Sequence, residues 1–362
     1  MLILLYLWYY KGYGLGYTMV MQISQNVSLK QHSTMRLGGV ASYFTEVKSR
    51  QEIQEAVHWA AAKQLPCIII GDGSNIIWQD AGYKGLVIAN KIMGFEIFKE
   101  DEQNLYLTVG AGENWDGVVA RAVELGYSGI EQLSLIPGTA GATPVQNVGA
   151  YGREIRDALV SVEAYDTQAD TFVTIPNSDC EFGYRTSRFK TTDKGRFFIS
   201  GITLHLTKTN PLPPFYASLQ HYLDSHNIQE YTPQTIRQAV IAIRSAKMPD
   251  PTTTPNTGSF FANPIINKTQ FVQLKADHPG ITHWELEDGN IKLSAAWLIE
   301  QTGFDKGTYD NATGMAIWKN HSLVLINQSA KTTADVMAFR QKIIEAVAKK
   351  FGITLQQEPE II

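Results

Sequence analysis

The sequence predicts mixed helix and strand, with an α/β pattern in its first half and a glycine-rich face for a ligand. Three observations carry this. Twice a strand-like run leads into a glycine-containing turn, at Gly71-Asp-Gly-Ser-Asn75 and at Gly110-Ala-Gly-Glu-Asn114. A third segment, 135–152, reads Leu-Ile-Pro-Gly-Thr-Ala-Gly-Ala-Thr-Pro-Val-Gln-Asn-Val-Gly-Ala-Tyr-Gly, a composition unlike any core helix or strand. Glycine lets a backbone reach positive φ and lets a ligand sit directly against peptide N–H groups. A stretch this long with few large side chains reads as backbone wrapped around a polar, phosphorylated ligand. Leu133, Leu135, Ile136 and Val145 argue against a disordered loop.

The elements follow in order. Ser49 and Glu52 form a capping-box pattern, and Ile53, Ala56, Val57, Ala60 and Ala61 continue at helical spacing. Cys67–Ile70 and Gly85–Ala89 read as strands, with Cys67 a buried thiol. Leu105–Val109 reads as a strand running through the second glycine turn into a helix with Val119, Ala122, Val123 and Leu125, stopped by Gly126. Ser161–Tyr165 and Thr171–Ile175 look like a hairpin, and Phe197–Leu206 like a long alternating strand. The proline-rich stretch 210–214 marks a domain boundary or an insertion. Thr232 caps a helix with Pro233 at its first position, and Val240, Ile243 and Ala246 lie on one face. Lys247-Met-Pro-Asp-Pro251 ends it. A helix around Leu293–Gln301, a strand Ser322–Asn327 and a helix Thr333–Phe351 complete the pattern. The last carries a stripe of Val336, Phe339, Ile343, Ile344 and Val347, with Gly352 as its C-cap.

The chain of 362 residues is long enough for two or three domains, and 44% hydrophobic with 18% charged residues describes an ordinary globular protein. A net charge of −4 leaves no footprint for nucleic acid. Cys67 and Cys180 lie far apart, which fits a reducing compartment. No Cys or His cluster has zinc-site spacing, so no metal is expected. The apolar leader 2–10 is too short to span a bilayer, which takes about 20 residues, and it lacks a basic n-region and a cleavage site. Residues 1–21 are read as an extension outside the native fold, with translation starting at Met19 or Met21; a short interfacial anchor is the rival reading.

Taken alone, Gly71-Asp-Gly-Ser-Asn75 is a weak signal and fails the usual dinucleotide fingerprint. Three glycine-rich turns together offer more backbone donors than a mononucleotide needs, which points to a large cofactor such as FAD.

These three segments resemble those of the UDP-N-acetylenolpyruvoylglucosamine reductase family. Further matches occur in the family's order. They are Phe182-Gly-Tyr-Arg-Thr-Ser187, Lys247-Met-Pro-Asp-Pro251, Gly258-Ser-Phe-Phe-Ala-Asn-Pro264, Lys292-Leu-Ser-Ala-Ala-Trp-Leu-Ile-Glu-Gln301 and Glu358-Pro-Glu360. The resemblance runs from about Asn26 to the end of the chain. It implies an α+β fold: a two-lobed FAD-binding domain of the vanillyl-alcohol-oxidase (PCMH) type plus a smaller α/β substrate-binding domain. The implied division is 22–93 and 94–248 for the two FAD-binding lobes, 249–354 for the substrate domain and 355–362 for a C-terminal segment returning to the active site.

The same resemblance implies non-covalent FAD, NADPH as co-substrate, and a cytoplasmic monomer that reduces UDP-N-acetylglucosamine enolpyruvate to UDP-N-acetylmuramate for peptidoglycan precursor synthesis. Membrane insertion and nucleic-acid binding are not expected. Carried over by motif, Arg185, Ser259 and Glu360 are catalytic, with Ser259 the proton donor. The implied cofactor-binding residues are Gly71, Gly73, Ser74, Asn75, Gly110, Gly112, Pro137, Gly138, Gly141, Ala142, Thr143, Gln146, Asn147, Gly149, Ala150, Tyr151 and Gly152. Those for substrate are Tyr184, Tyr216, Lys247, Asn263, Lys292 and Gln301. The chain departs from the family by stopping at Ile362, soon after Glu360, and by carrying Ala262 where many relatives have lysine.

The residues suit that chemistry. Hydride addition to an enol ether conjugated to a carboxylate moves negative charge toward the carboxylate, and Arg185 can meet it with two parallel donors. The carbon bearing the ether oxygen then takes a proton, and serine can supply it only with help from neighbours. Glu360 could orient groups as a carboxylate or donate as an acid. An alcohol or sugar oxidase on the same fold is the alternative, and a binding protein without turnover is a third reading.

Overall fold

The computed structural model describes residues 21–362. Residues 1–20 of the expected extension lie outside the described residues. The chain divides into two compact units. The first holds 21–28, 40–72 and 83–243, and the second holds 29–39, 73–82 and 244–362.

A four-stranded sheet opens the first unit, in the order Ser24–Ser28, Val40–Val47, Tyr83–Asn90, Cys67–Ile70. The first pair is antiparallel and the others are parallel. Helix Arg50–Ala62 buries Ile53, Ala56, Val57 and Ala60 against Leu86 and Ile88, while Ala61 is exposed. Ser49 caps the helix as expected, accepting from the Glu52 N–H at 3.2 Å. The reciprocal half of the box is different: the Glu52 carboxylate accepts from the Lys48 N–H instead of that of Ser49. Cys67 is only half-buried, not buried, because its strand lies at the sheet's edge.

The second sheet of this unit is antiparallel, ordered Thr171–Pro176, Leu159–Asp166, Phe197–Thr207, Asn104–Gly110, Phe95–Glu100. Helix Trp115–Glu124 packs on it through Trp115, Val118, Val119, Ala122 and Val123. Asn114 caps this helix by accepting from the Gly117 N–H at 2.9 Å. The proline-rich stretch leads to a helical pair, Ala217–Ser225 and Pro233–Lys247, with its own small core of Phe215, Leu219, Leu223, Ile236, Val240 and Ile243. The first of these helices was not legible in the sequence. Ala246 is exposed and not part of the apolar face, since the helix outruns its core by the last turn.

In the second unit, Asn256–Ser259, His321–Asn327, Met315–Trp318 and Tyr309–Asp310 form an antiparallel sheet. Helix Thr333–Phe351 buries its expected stripe on one face of that sheet, against Met315, Ile317, Leu323 and Leu325. Gly352 closes it in the left-handed region at φ 66°. Met35, Leu37 and Ile77, supplied by the two short early segments, complete this core. No helix among the described residues is long and apolar enough to cross a membrane.

Candidate cofactor site and active-site residues

In the first unit the glycine-rich turns lock into one another through their backbones. Gly112 N–H donates to Ile92 O at 2.8 Å, Ala140 N–H to Glu113 O at 2.9 Å, Gly141 N–H to Ala111 O at 3.0 Å and Trp115 N–H to Gly138 O at 3.0 Å. Such approach leaves no room for side chains. A Cβ on Gly71 would lie 2.3 Å from Thr139 Oγ1, and one on Gly112 would lie 2.6 Å from Lys91 C. One on Gly110 would lie 2.4 Å from Ile92 O. These glycines therefore serve to press loops together.

The 135–152 segment is ordered and strained. Ala140–Ala142 is a single 3-10 turn, and Gly149–Ala150 pairs with Arg153–Glu154. Leu135, Asn147 and Tyr151 carry φ of 58°, 48° and 49°, and Arg185 carries 57°. Left-handed backbone at such residues costs about 1 kcal/mol or more each and gathers at functional sites. The Leu135 N–H donates to Asp116 Oδ1 at 2.5 Å, and Arg237 of the helical pair clasps the same carboxylate at 2.6 and 3.0 Å. Asn147, fully buried, donates to Glu154 Oε2 at 2.7 Å and to Gly183 O at 3.0 Å, joining the segment to the 183–187 turn. Thr143 is buried and donates to Ala140 O at 2.7 Å, while Ala142, Gln146 and Ala150 are half-buried, and Pro137 and Gly152 are exposed.

Arg185 sits on that turn. Its Nη2 donates to Gly149 O at 2.7 Å, and its guanidinium lies 5.1 Å from the Tyr184 ring centre. A Cβ on Gly149 would come 3.0 Å from Arg185 Nη1, so this glycine makes the space the guanidinium uses. Tyr216 begins helix Ala217–Ser225, with its ring edge-on to Tyr151 at 6.3 Å, and partial burial raises its phenol pKa.

Gly73, Ser74 and Asn75 belong to the second unit, where a Cβ on Gly73 would lie 2.1 Å from His32 O. Ser259 ends strand Asn256–Ser259 at an irregularity in its pairing with His321–Asn327. Gly258, at φ 74°, donates its N–H to Asn256 Oδ1 at 2.8 Å and so shapes the bulge that presents Ser259. The following residues hold the chain's tail: Ala262 N–H donates to Gln356 O at 2.9 Å and Glu358 N–H to Phe260 O at 2.9 Å. Glu360–Ile361 then pairs in parallel with Ile76–Ile77, and Glu360 N–H donates to Asn75 O at 2.9 Å. Glu360 is thus a strand residue, held through its backbone to the strand Ile76–Ile77.

Four other residues lie in the second unit. Lys247 is the last residue of its helix and Gln301 follows helix Ala295–Glu300; both are exposed. Asn263 Oδ1 accepts from Ala295 N–H at 3.0 Å, a helix-starting bond. The Lys292 ammonium lies 5.7 Å from the Trp284 ring centre. Among the described residues no group of three or more His, Cys, Asp or Glu is placed to hold a metal ion. The sequence reading missed two buried polar residues, Glu131 and Gln132, which directly precede the glycine-rich segment. Their signal was faint, a polar pair inside an otherwise apolar run.

Comparison with known proteins defines the class. Residues 41–174 match the family described as FAD binding domain, and residues 250–362 match the family described as UDP-N-acetylenolpyruvoylglucosamine reductase, C-terminal domain. A UDP-N-acetylenolpyruvoylglucosamine reductase of Ralstonia nicotianae is 39% identical over 337 residues, 92% of this chain and 97% of that one. One from Chromobacterium violaceum is 35% identical over 95% of this chain and 100% of the relative. The solved UDP-N-acetylenolpyruvylglucosamine reductase of Thermus caldophilus shares the fold. Its TM-score is 0.65 at 22% identity, covering 94% of this chain and 99% of that one.

The fold is an α+β flavoprotein fold, an FAD-binding domain of the PCMH type joined to a second domain, and the protein is an oxidoreductase. More narrowly, the chain belongs to the UDP-N-acetylenolpyruvoylglucosamine reductase family.

Proposed function

We propose that the protein reduces UDP-N-acetylglucosamine enolpyruvate to UDP-N-acetylmuramate, using FAD and taking its electrons from NADPH. The carrying observation is likeness at 35–39% identity along nearly the whole of both chains, not in one domain alone. The close-packed turns at 71, 110–114 and 138–142 lie within 41–174, the stretch that matches the FAD-binding family, and this supports FAD as the cofactor. FAD, when bound, supplies hydride transfer.

The remaining work falls to side chains. Arg185 stabilises the substrate carboxylate as charge moves onto it. Its bond to Gly149 O fixes the guanidinium plane, so little reorganisation is needed during reaction. Ser259 gives its hydroxyl proton to the carbon that bears the ether oxygen. Glu360 orients or re-protonates that serine, and its strand pairing supplies the rigidity such a role needs. Tyr184, Tyr216, Lys247, Asn263, Lys292 and Gln301 bind the nucleotide sugar.

Anaerobic mixing tests the reading. NADPH should bleach the flavin absorbance, and UDP-N-acetylglucosamine enolpyruvate should restore it. Recovery with oxygen alone would replace this proposal with an oxidase, and a colourless protein would remove the flavin from it.

A further inference from the structure

We infer that Arg237 is a positioning residue for the cofactor: acting through Asp116, it fixes the entry of the glycine-rich segment, so that the helical pair holds this segment ready for FAD. This rests on the FAD reading and deepens it. All the residues involved belong to the first unit.

The segment turns sharply at its start. Leu135 has φ 58°, a left-handed backbone that leucine rarely adopts. Such a conformation persists only where its surroundings over-determine it. Here they are the first turn of helix Trp115–Glu124. The Trp115 indole donates to Leu133 O at 3.0 Å and the Trp115 N–H to Gly138 O at 3.0 Å, on either side of Leu135. Between them the Leu135 N–H donates to Asp116 Oδ1 at 2.5 Å.

An aspartate carboxylate at a helix surface turns among rotamers unless something holds it. Arg237 holds this one. Its Nη1 and Nη2 donate to Asp116 Oδ1 and Oδ2 at 2.6 and 3.0 Å, a two-point grip that fixes the carboxylate plane. The arginine side chain is 14% exposed, so solvent screens the pair little.

The far end of the segment meets the same helical pair. Tyr151, at φ 49°, packs on the small core around Phe215 and Leu219, edge-on to Tyr216. The pair therefore grips 135–152 at both ends, with the turn Ala140–Ala142 between them. If the clasp opens, Leu135 relaxes and fewer molecules hold the segment in the form that FAD binds. The apparent affinity falls by that fraction.

The test uses Arg237→Met, Arg237→Lys, Asp116→Asn and the double variant Arg237→Met/Asp116→Asn, each stripped of FAD and titrated with it by flavin fluorescence. Arg237→Met should bind FAD about ten-fold more weakly. Arg237→Lys should fall between it and wild type, since lysine keeps the charge but not the two-point grip. The double variant should bind no more weakly than Asp116→Asn alone, because the arginine acts through that carboxylate. Hydrogen exchange of the FAD-free Arg237→Met protein should quicken in 135–142 and not in strand Phe197–Thr207. If Arg237→Met does not fold, Arg237→Lys carries the same comparisons. Unchanged FAD affinity would overturn the inference. Additive losses in the double variant would also overturn it, as would faster exchange spread over the whole first unit, which would make Arg237 a general stabiliser. Wild-type protein that fails to bind FAD would instead strike the cofactor reading itself, and this inference with it.

Discussion

Gly141→Ala adds one methyl group where two loops already touch. A Cβ at Gly141 would lie 2.4 Å from Ala111 Cβ, 3.0 Å from its Cα and 3.1 Å from its O. Carbon atoms pack at about 3.5–4.0 Å, so the loops must part by roughly an ångström. That movement works against the Gly141 N–H to Ala111 O hydrogen bond at 3.0 Å. Overpacking of this kind costs about 1–3 kcal/mol, and the weakened bond about 1 kcal/mol more. At about 2–4 °C per kcal/mol for a unit of this size, the melting temperature of FAD-free protein should fall by roughly 5–15 °C. FAD affinity should fall with it, because the parted loops lie within 41–174, the stretch that matches the FAD-binding family. Gly117→Ala is the control. Gly117 is exposed on helix Trp115–Glu124, and its added Cβ would meet nothing closer than Asn114 Oδ1 at 3.5 Å. It should gain about 0.5–1 kcal/mol from helix propensity and leave FAD affinity alone. Calorimetric melts and flavin fluorescence titrations read both variants. If Gly141→Ala melts with the wild type and binds FAD equally well, the loops are not held by close backbone packing and the argument fails.

Three further outcomes are expected. Ser259→Ala should keep flavin reduction by NADPH, while reoxidation by the enolpyruvyl sugar slows about 10²–10⁴-fold; equal slowing of both steps in stopped-flow traces would remove the proton-donor role. His321 is pushed down to about 4 by burial, then by the nearby Lys247, Lys306 and Arg244 cations, against the opposing Glu300. Its Nδ1 accepts from Leu323 N–H at 3.2 Å. An unfolded histidine takes its proton near pH 6.5, so between about 6.5 and 4 the unfolded state binds more protons and stability falls as pH falls. Urea melts of His321→Gln across that window should lack this part of the slope, and an unaltered slope would assign it to other groups. Thr332→Ala removes a capping box in which Thr332 Oγ1 accepts from Asp335 N–H at 3.2 Å and the Asp335 carboxylate accepts from Thr332 N–H at 2.9 Å. It should cost about 1 kcal/mol in denaturant unfolding, with FAD affinity unchanged.

The elements that the sequence made legible are those built from neighbours. Ser49 sits one residue before its helix, Thr232 precedes Pro233, and Gly352 follows Phe351; each cap acts over three or four residues. Strands flanked by glycine turns were equally plain, because period and punctuation are local signals. Helix Ala217–Ser225 was hidden by its short length and by the prolines before it. Gln132 was hidden for a different reason, since whether a polar side chain is matched depends on what surrounds it.

Residue order alone settled the alternation of strand and helix, the glycine-rich face and, through its motifs, the family. Those properties follow from steric preference and chemistry within a few residues. Only the tertiary structure decided that 29–39 and 73–82 join the C-terminal unit, that Gly149 clears space for Arg185 thirty-six positions on, and that Glu360 is a strand residue beside Asn75. Each depends on backbone groups brought together across long stretches of chain, and it is closure of those loops, not the character of any one residue, that selects the partner.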